Sequence, residues 1–246
     1  MTWPFENDTS GIVKRISNRS ISANRKRNIF IVLTIVLASA LLSAIVLYGF
    51  GVMQETQNRN QKTAQIMYHA ISEQQGQELY KQEEIAWVGE FFNAFSEQVN
   101  HSTVNFTYAN ADMLTSQSMP YSGDLPASEN ELVVQESFLD SLGYSNELGQ
   151  TIQIPFSDGT THDFKLTGIL DVKTGDIGRY TAIISKELVR QQYGDGGMID
   201  YYIGLKGAQN MSEEEATNYA NTLAQQLKIS DDNVIVRSTY FNLKDK

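Results

Sequence analysis

The chain has 246 residues, 41% of them hydrophobic, carries a formal net charge of −10, and contains no cysteine. A disulfide framework, a thiolate nucleophile and a cysteine metal site are therefore excluded. The acidic balance argues against nucleic acid as a partner, and the length suffices for one sizeable domain or two small subdomains.

Charge and apolar character are unevenly distributed. Residues 1–28 hold six basic side chains (Lys14, Arg15, Arg19, Arg25, Lys26, Arg27) against Glu6 and Asp8, so residues 29–246 carry −14. Within the basic segment, Gly11 to Arg27 reads as an amphipathic helix. Ile12, Val13, Ile16, Ser20 and Ala23 share an arc, with Lys14, Arg15, Arg19, Arg25 and Lys26 set opposite, while Ile21 and Arg27 break the pattern. Such a helix suits an anionic membrane surface or an acidic cytoplasmic partner, although the same charges also serve simply to fix topology.

Ile29 to Met53 (IFIVLTIVLASALLSAIVLYGFGVM) contains no Asp, Glu, Lys, Arg or His. At about 1.5 Å rise per residue it is long enough to cross a hydrocarbon core of about 30 Å. The adjacent Lys and Arg place the N-terminus in the cytoplasm and the remainder outside, at a plasma membrane. The run exceeds the roughly 7 to 15 apolar residues of a signal peptide, and GVMQETQNRNQK offers no clear cleavage site, so the expectation is an uncleaved anchor.

Residues 54–82 are polar, with a thin apolar stripe at Ile66, Ala70 and Ile71. They read as a helical stalk, a continuation of the span followed by a short helix with Gly76 as punctuation. From about residue 83 to 246 the texture is that of an extracytoplasmic α+β domain. The aromatics Trp87, Phe91, Phe92 and Phe95 suggest one packed helical or strand face. Glu131 to Gln135 reads as a strand and Glu136 to Leu142 as a helix ended by Gly143. Thr151 to Phe156 and His162 to Leu170 form a β-hairpin across the turn Ser157-Asp158-Gly159.

Thr181 to Ile184 is a strand, after which Ser185 caps a helix through Tyr193, ended by Gly194-Asp195-Gly196-Gly197. Ile199 to Leu205 is a further strand. A capping box at Ser212 to Glu215 opens a helix with Ala216, Tyr219, Ala220, Leu223 and Leu227 on one face, and Asn233 to Arg237 supplies a last strand. Residues 199–237 thus make a split βαβ-like unit, with the β-rich stretch at about 125–184 as an insertion within it, in a β-rich subdomain of about 121–197.

No catalytic constellation is legible. His69, His101 and His162 stand at no metal-ligand spacing, so no metal, cofactor-binding or catalytic residue is assigned and the chain is not read as an enzyme. The glycines at 194–197 follow a helix instead of opening one and suit a helix stop better than a phosphate loop. Asp231-Asp232-Asn233 lacks the Gly and distal Glu of a calcium loop and reads as a turn. Sequons at Asn100, Asn105 and Asn210 matter only in a eukaryotic secretory pathway.

The run from Ile12 to Gly51 resembles the opening of FtsX/MacB-like ABC transporter permeases, in which a basic amphipathic segment leads into the first membrane helix. Ser122 to Tyr144 (SGDLPASENELVVQESFLDSLGY), Leu148 to Phe156 and Phe164 to Asp171 (FKLTGILD) resemble, in order and spacing, the extracytoplasmic core domain of that family. The resemblance implies a permease subunit that does no chemistry itself. A separate cytoplasmic ATPase would drive it, with a second permease copy beside it, and it would work outside on a peptide, lipid, lipoprotein or cell-wall hydrolase. Antimicrobial-peptide export or resistance is a frequent assignment in comparable members. Such permeases have at least four membrane helices and a single span is seen here, so the expectation is a fragment holding the first helix and the outer domain. The alternative is a single-pass anchored binding or sensor protein.

Overall fold

The computed structural model describes residues 9–172, 179–194, 199–238, 240 and 241. The chain divides into two compact units, residues 1–57 and 58–246. The first holds helix α1 (Ser10–Ala23) and most of helix α2 (Arg25–Lys62). The helix expected over Gly11 to Arg27 ends early, at Asn24, whose backbone leaves the helical region (φ −105°, ψ 22°) while its N–H and its side-chain amide both donate to the Ser20 carbonyl. Arg25, Lys26 and Arg27 therefore open α2. Among the described residues, Arg25–Val52 is the one helix long and apolar enough to cross a membrane. Its large apolar side chains, from Ile29 to Val52, are exposed on every side, as a lipid-facing helix requires.

Among the described residues, the second unit is built on a ten-stranded mixed sheet. Residues 66–71 are not helical stalk but strand β1 (Ile66–Ile71), followed by helix α3 (Glu73–Leu79). The spacing of Ile66, Ala70 and Ile71 imitates a helix because a bulge between Tyr68 and Ile71, with Ala70 at φ 51°, breaks the strand's period of two. Then come β2 (Ile85–Val99), β3 (Ser102–Ala109), α4 (Ala111–Ser116), β4 (Tyr121–Gly123), β5 (Glu131–Gln135), α5 (Glu136–Leu142), β6 (Thr151–Pro155) and β7 (Thr161–Leu170). The remainder is β8 (Arg179–Ile184), α6 (Lys186–Tyr193), β9 (Ile199–Leu205), α7 (Glu213–Leu227) and β10 (Val234–Val236).

Strand order β10-β1-β9-β2 is the interleaving of two β-α-β halves, β1-α3-β2 and β9-α7-β10. The inserted stretch therefore lies between these halves and not within 199–237. Nor is it a separate layer. Strand β8 runs parallel to β3 from Thr103↔Arg179 to Tyr108↔Ile184, so β8-β5-β7-β4 prolongs the same sheet, with β6 hairpinned onto β7. These are two lobes of one sheet.

One sheet face carries both main cores. In the first lobe Tyr68, Tyr201, Ile66 and Ile203 pack on Leu79 of α3 and on Ala216, Ala220 and Leu223 of α7. In the second, Phe106, Val134 and Ile184 pack on Phe138 and Leu139 of α5 and on Leu188 and Val189 of α6. The opposite face has a smaller cluster under α4, around Met113, Leu114, Val133 and Ile183. The aromatics of β2 do not form one face. Phe91 joins the α4 side and Phe92 the helix-bearing side, and a bulge between Asn93 and Phe95 returns Phe95 to the latter.

The segment that carried the family resemblance has a structural explanation. Gly123, at φ 85°, lies where a Cβ would overlap the Thr167 carbonyl. Glu131 accepts from the Ala127 and Ser128 N–H groups at 2.9 and 3.1 Å, and Gly143 ends α5 in the left-handed region. At the entry to the sheet, Gln65, 1% exposed, is bound on both sides: its N–H to Ile203 O, its Oε1 to Leu205 N–H and its carbonyl to Arg237 N–H.

Gly76 is not a helix punctuation mark. It lies buried inside α3, where a Cβ would overlap the Tyr201 ring. Gly76→Ala should lower the unfolding free energy of the detergent-solubilised chain by about 2 kcal/mol through overpacking. A merely helix-weakening glycine would instead give a gain of up to about 1 kcal/mol on the same substitution.

Candidate functional site

Within β2 the apolar stretch Ile85 to Phe95 contains a single charge, Glu90, and the sheet carries it into the junction between the lobes. Its side chain is 5% exposed. One carboxylate oxygen accepts from the Tyr80 hydroxyl at 2.8 Å. The other accepts from the Tyr108 hydroxyl at 2.6 Å and from Lys186 Nζ at 2.9 Å. A buried carboxylate is tolerated only with such partners.

The cations come from the second lobe. Ser185 caps α6, its hydroxyl accepting from the Leu188 N–H at 3.1 Å, which sets Lys186 on the first turn and Arg190 one turn on along the same side. A lysine at a helix N-terminus opposes the helix dipole, and here two carboxylates offset that cost. Lys186 Nζ lies 3.0 Å from Glu73 Oε1, and Arg190 Nη2 reaches the same oxygen at 2.5 Å. Glu73 belongs to the first turn of α3, opened by the Ser72–Gln75 capping box. Glu73, Glu90, Lys186 and Arg190 therefore form one network across the lobe junction, with Glu187 Oε2 3.6 Å from Arg190 Nη1 at its edge. Phe92 and Tyr108 touch the cores on both sides of it.

Asn110 frames the network from below. Its side-chain oxygen accepts from the Glu90 and Met113 N–H groups, and its amide donates to Val88 O. The Tyr201 hydroxyl, fully buried beside this network, has no hydrogen-bond partner among the described residues. Burial would raise the Glu73 carboxyl, but hydrogen bonds from Lys186 and Arg190 outweigh it and hold the group below the usual carboxylate range. Burial, then the negative charge of Glu90, pushes the hydroxyls of Tyr80, Tyr108 and Tyr201 well above the ordinary tyrosine value.

The histidines singled out by sequence lie apart. His69 Nδ1 meets Asp200 Oδ1 at 2.7 Å in the β1 bulge, His101 is in the β2–β3 turn, and His162 stacks near Phe156 on β7. Among the described residues no three His, Asp or Glu groups are placed to hold a metal. Gly194, at φ 72°, ends α6, and Asp195 to Gly197 lie outside the described residues, as do Asn242 to Lys246. Asp231–Asn233 is one 3-10 turn.

Crevices open on both faces of the sheet, two of them lined by none of the network residues. On the helix-bearing face, one of about 210 Å³ opens between the β6–β7 hairpin and α6, lined by Phe95, Phe156, His162, Phe164 and Glu129 among others. On the other face, a groove of about 250 Å³ runs over Phe91, Asn105, Thr107 and Thr181 beside α4.

Comparison with known proteins places this geometry. The model of the MacB-like periplasmic core domain matches residues 29–227. The periplasmic region of MacB from Actinobacillus actinomycetemcomitans has a similar fold, with a TM-score of 0.50 and 12% identity, the match covering 74% of this chain and 92% of that one. The extracellular domain of the noncanonic ABC-type transporter YknZ from Gram-positive bacteria is similar with a TM-score of 0.52 and 9% identity, over 71% of this chain and 100% of that one. A search of curated protein sequences returns no match.

The tyrosines give a pH test whose sign is fixed. In the unfolded chain they ionise near about pH 10, whereas in the folded chain they stay protonated, so the folded state loses stability as pH rises above that value. The denaturant midpoint should fall between about pH 9.5 and 11, and Tyr108→Phe should flatten the slope. A midpoint that stays level over that interval contradicts the burial of these hydroxyls against Glu90.

Proposed function

Because the chain belongs to the family of MacB-like periplasmic core domains, we propose that it is the membrane-anchored outer portion of an ABC-transporter permease subunit, driven by a separate cytoplasmic ATPase. The observation that carries this reading is the family match over residues 29–227, which takes in the span and the two-lobed domain as far as the end of α7. In this reading residues 1–28 lie in the cytoplasm, 29–53 cross the membrane, and the sheet domain works outside, an orientation supported by the six basic side chains before the span. The domain is not itself an enzyme. It converts ATPase-driven movement of the span into extracytoplasmic work such as antimicrobial-peptide export or resistance, or lipid and lipoprotein handling, with a second permease copy as its neighbour.

Helix α1 fits a role at the inner membrane surface. Ile12, Val13 and Ile16 are exposed on one arc, flanked by Arg15 and Arg19. Gln65, the third residue after α2, is hydrogen-bonded to the strand pair around it, so a displacement of the helix end reaches the sheet without passing through a long linker.

The test is co-purification of the tagged chain from its native membrane, followed by assay for ATP hydrolysis. The reading expects a P-loop ATPase in the complex, and the triple substitution Lys14→Ala, Arg15→Ala, Arg19→Ala should reduce its recovery several-fold while the outer domain stays folded. Absence of any ATPase, with the chain stable and active alone, would favour a single-pass binding or sensor protein. Undiminished recovery with the triple variant would remove α1 from the coupling.

A further inference from the structure

The crevice between the β6–β7 hairpin and α6 has a composition the permease reading does not use. Its wall is aromatic. Phe156 and His162 have ring centroids 4.2 Å apart at 31°, Phe95 lies 5.8 Å from Phe156, and His162 lies 6.4 Å from Phe164 at 30°. Its rim carries the carboxylates of Glu129 and Asp163, and among its lining residues there is no Lys or Arg. The basic side chains of the adjoining helix, Lys186 and Arg190, are engaged with Glu73 and Glu90 at the lobe junction and leave this rim acidic.

The crevice is also preformed. The Phe156 N–H donates to Thr160 O at 2.8 Å, closing the hairpin turn. Ser157 is pinned to Glu97 of β2 by two hydrogen bonds, from its N–H at 2.9 Å and its hydroxyl at 2.7 Å. The aromatic wall is thus held to the sheet before any ligand arrives, which lowers the ordering cost of binding.

Ring faces present negative potential, and the carboxylates at the exposed rim add to it, so a cation with an apolar stem is the complementary ligand. A planar guanidinium meets the demands best, because it stacks on rings and pairs with a carboxylate through two parallel N–H groups. We infer that this crevice is a recognition site for an arginine side chain presented by an extracytoplasmic polypeptide. The charge of −14 over residues 29–246 favours approach of such a segment.

Saturation-transfer difference NMR on the full chain in an uncharged detergent provides the test, with acetyl-Gly-Arg-Gly-amide as probe and its citrulline isostere as the neutral counterpart. The arginine peptide should bind about fivefold more tightly than the citrulline peptide, and Glu129→Gln, at an exposed position where the fold is indifferent, should remove about that factor. Phe156→Leu should weaken binding similarly, while Glu213→Gln on α7, remote from the crevice, should leave it unchanged. Equal binding of the two peptides, no saturation transfer at all, or an equal loss in Glu213→Gln from diffuse electrostatics would each overturn the inference. The assay contains no ATPase, so its failure leaves the permease reading intact, and failure of co-purification leaves this site intact.

Discussion

The structure depends on a buried carboxylate. Glu90 sits in an apolar strand at the junction of two lobes, and it can be there only because Tyr80, Tyr108 and Lys186 all donate to it. Those donors come from three elements, and Lys186 comes from the other lobe. Removing water from an ion pair costs several kcal/mol per charge, so such a network contributes little net stability while strongly penalising any arrangement that separates its members. Its contribution is to fix which way the lobes meet. The ion pairs from Lys186 and Arg190 to Glu73 extend the junction from the sheet to the α3–α6 helix pair.

That junction explains how an inserted subdomain becomes part of one sheet. The two β-α-β halves interleave as β10-β1-β9-β2, and the chain between them leaves through β3 and returns through β8. Parallel pairing of β3 with β8 extends the backbone ladder across the boundary, while Phe92 and Tyr108 belong to both cores. The strand that follows the membrane helix in sequence, β1, lies between β9 and β10, and the ladder leads from β9 through β2 and β3 to the second lobe.

The parts of the fold written in local chemistry could be read from the sequence. The Ser212–Glu215 capping box, the Gly143 helix stop, the Ser157-Asp158-Gly159 turn and the Ser185 cap each depend on a few neighbouring residues, and each stands where the local pattern places it. Strand β1 is not legible as a strand because a bulge stabilised by Asp200, which accepts from the Ala70 N–H at 3.0 Å, destroys its alternation, and Asp200 lies 130 residues away. Without β1 the first β-α-β half has no sequence signature, and the pattern at 199–237 alone suggests a place for the insertion that the sheet order does not have. The Glu90 network was missed for a related reason: its members are scattered from Glu73 to Arg190. The one trace at sequence level is a lone charge within IAWVGEFFNAF, which signals either an edge or a buried pair and does not name the partner.

Family membership gives the domain its setting, and the network gives it a mechanical unit whose integrity is measurable. Hydrogen–deuterium exchange on the full chain in detergent, comparing Lys186→Met with the unsubstituted protein, addresses this directly. If Glu90 and its cation weld the lobes, amides of α3, α6 and β8 should exchange about tenfold faster or more in the variant, with β1 and β9 unchanged, since each tenfold corresponds to about 1.4 kcal/mol of local opening. Exchange that is unaltered at α3 and α6, or raised evenly over the whole domain, would contradict the account.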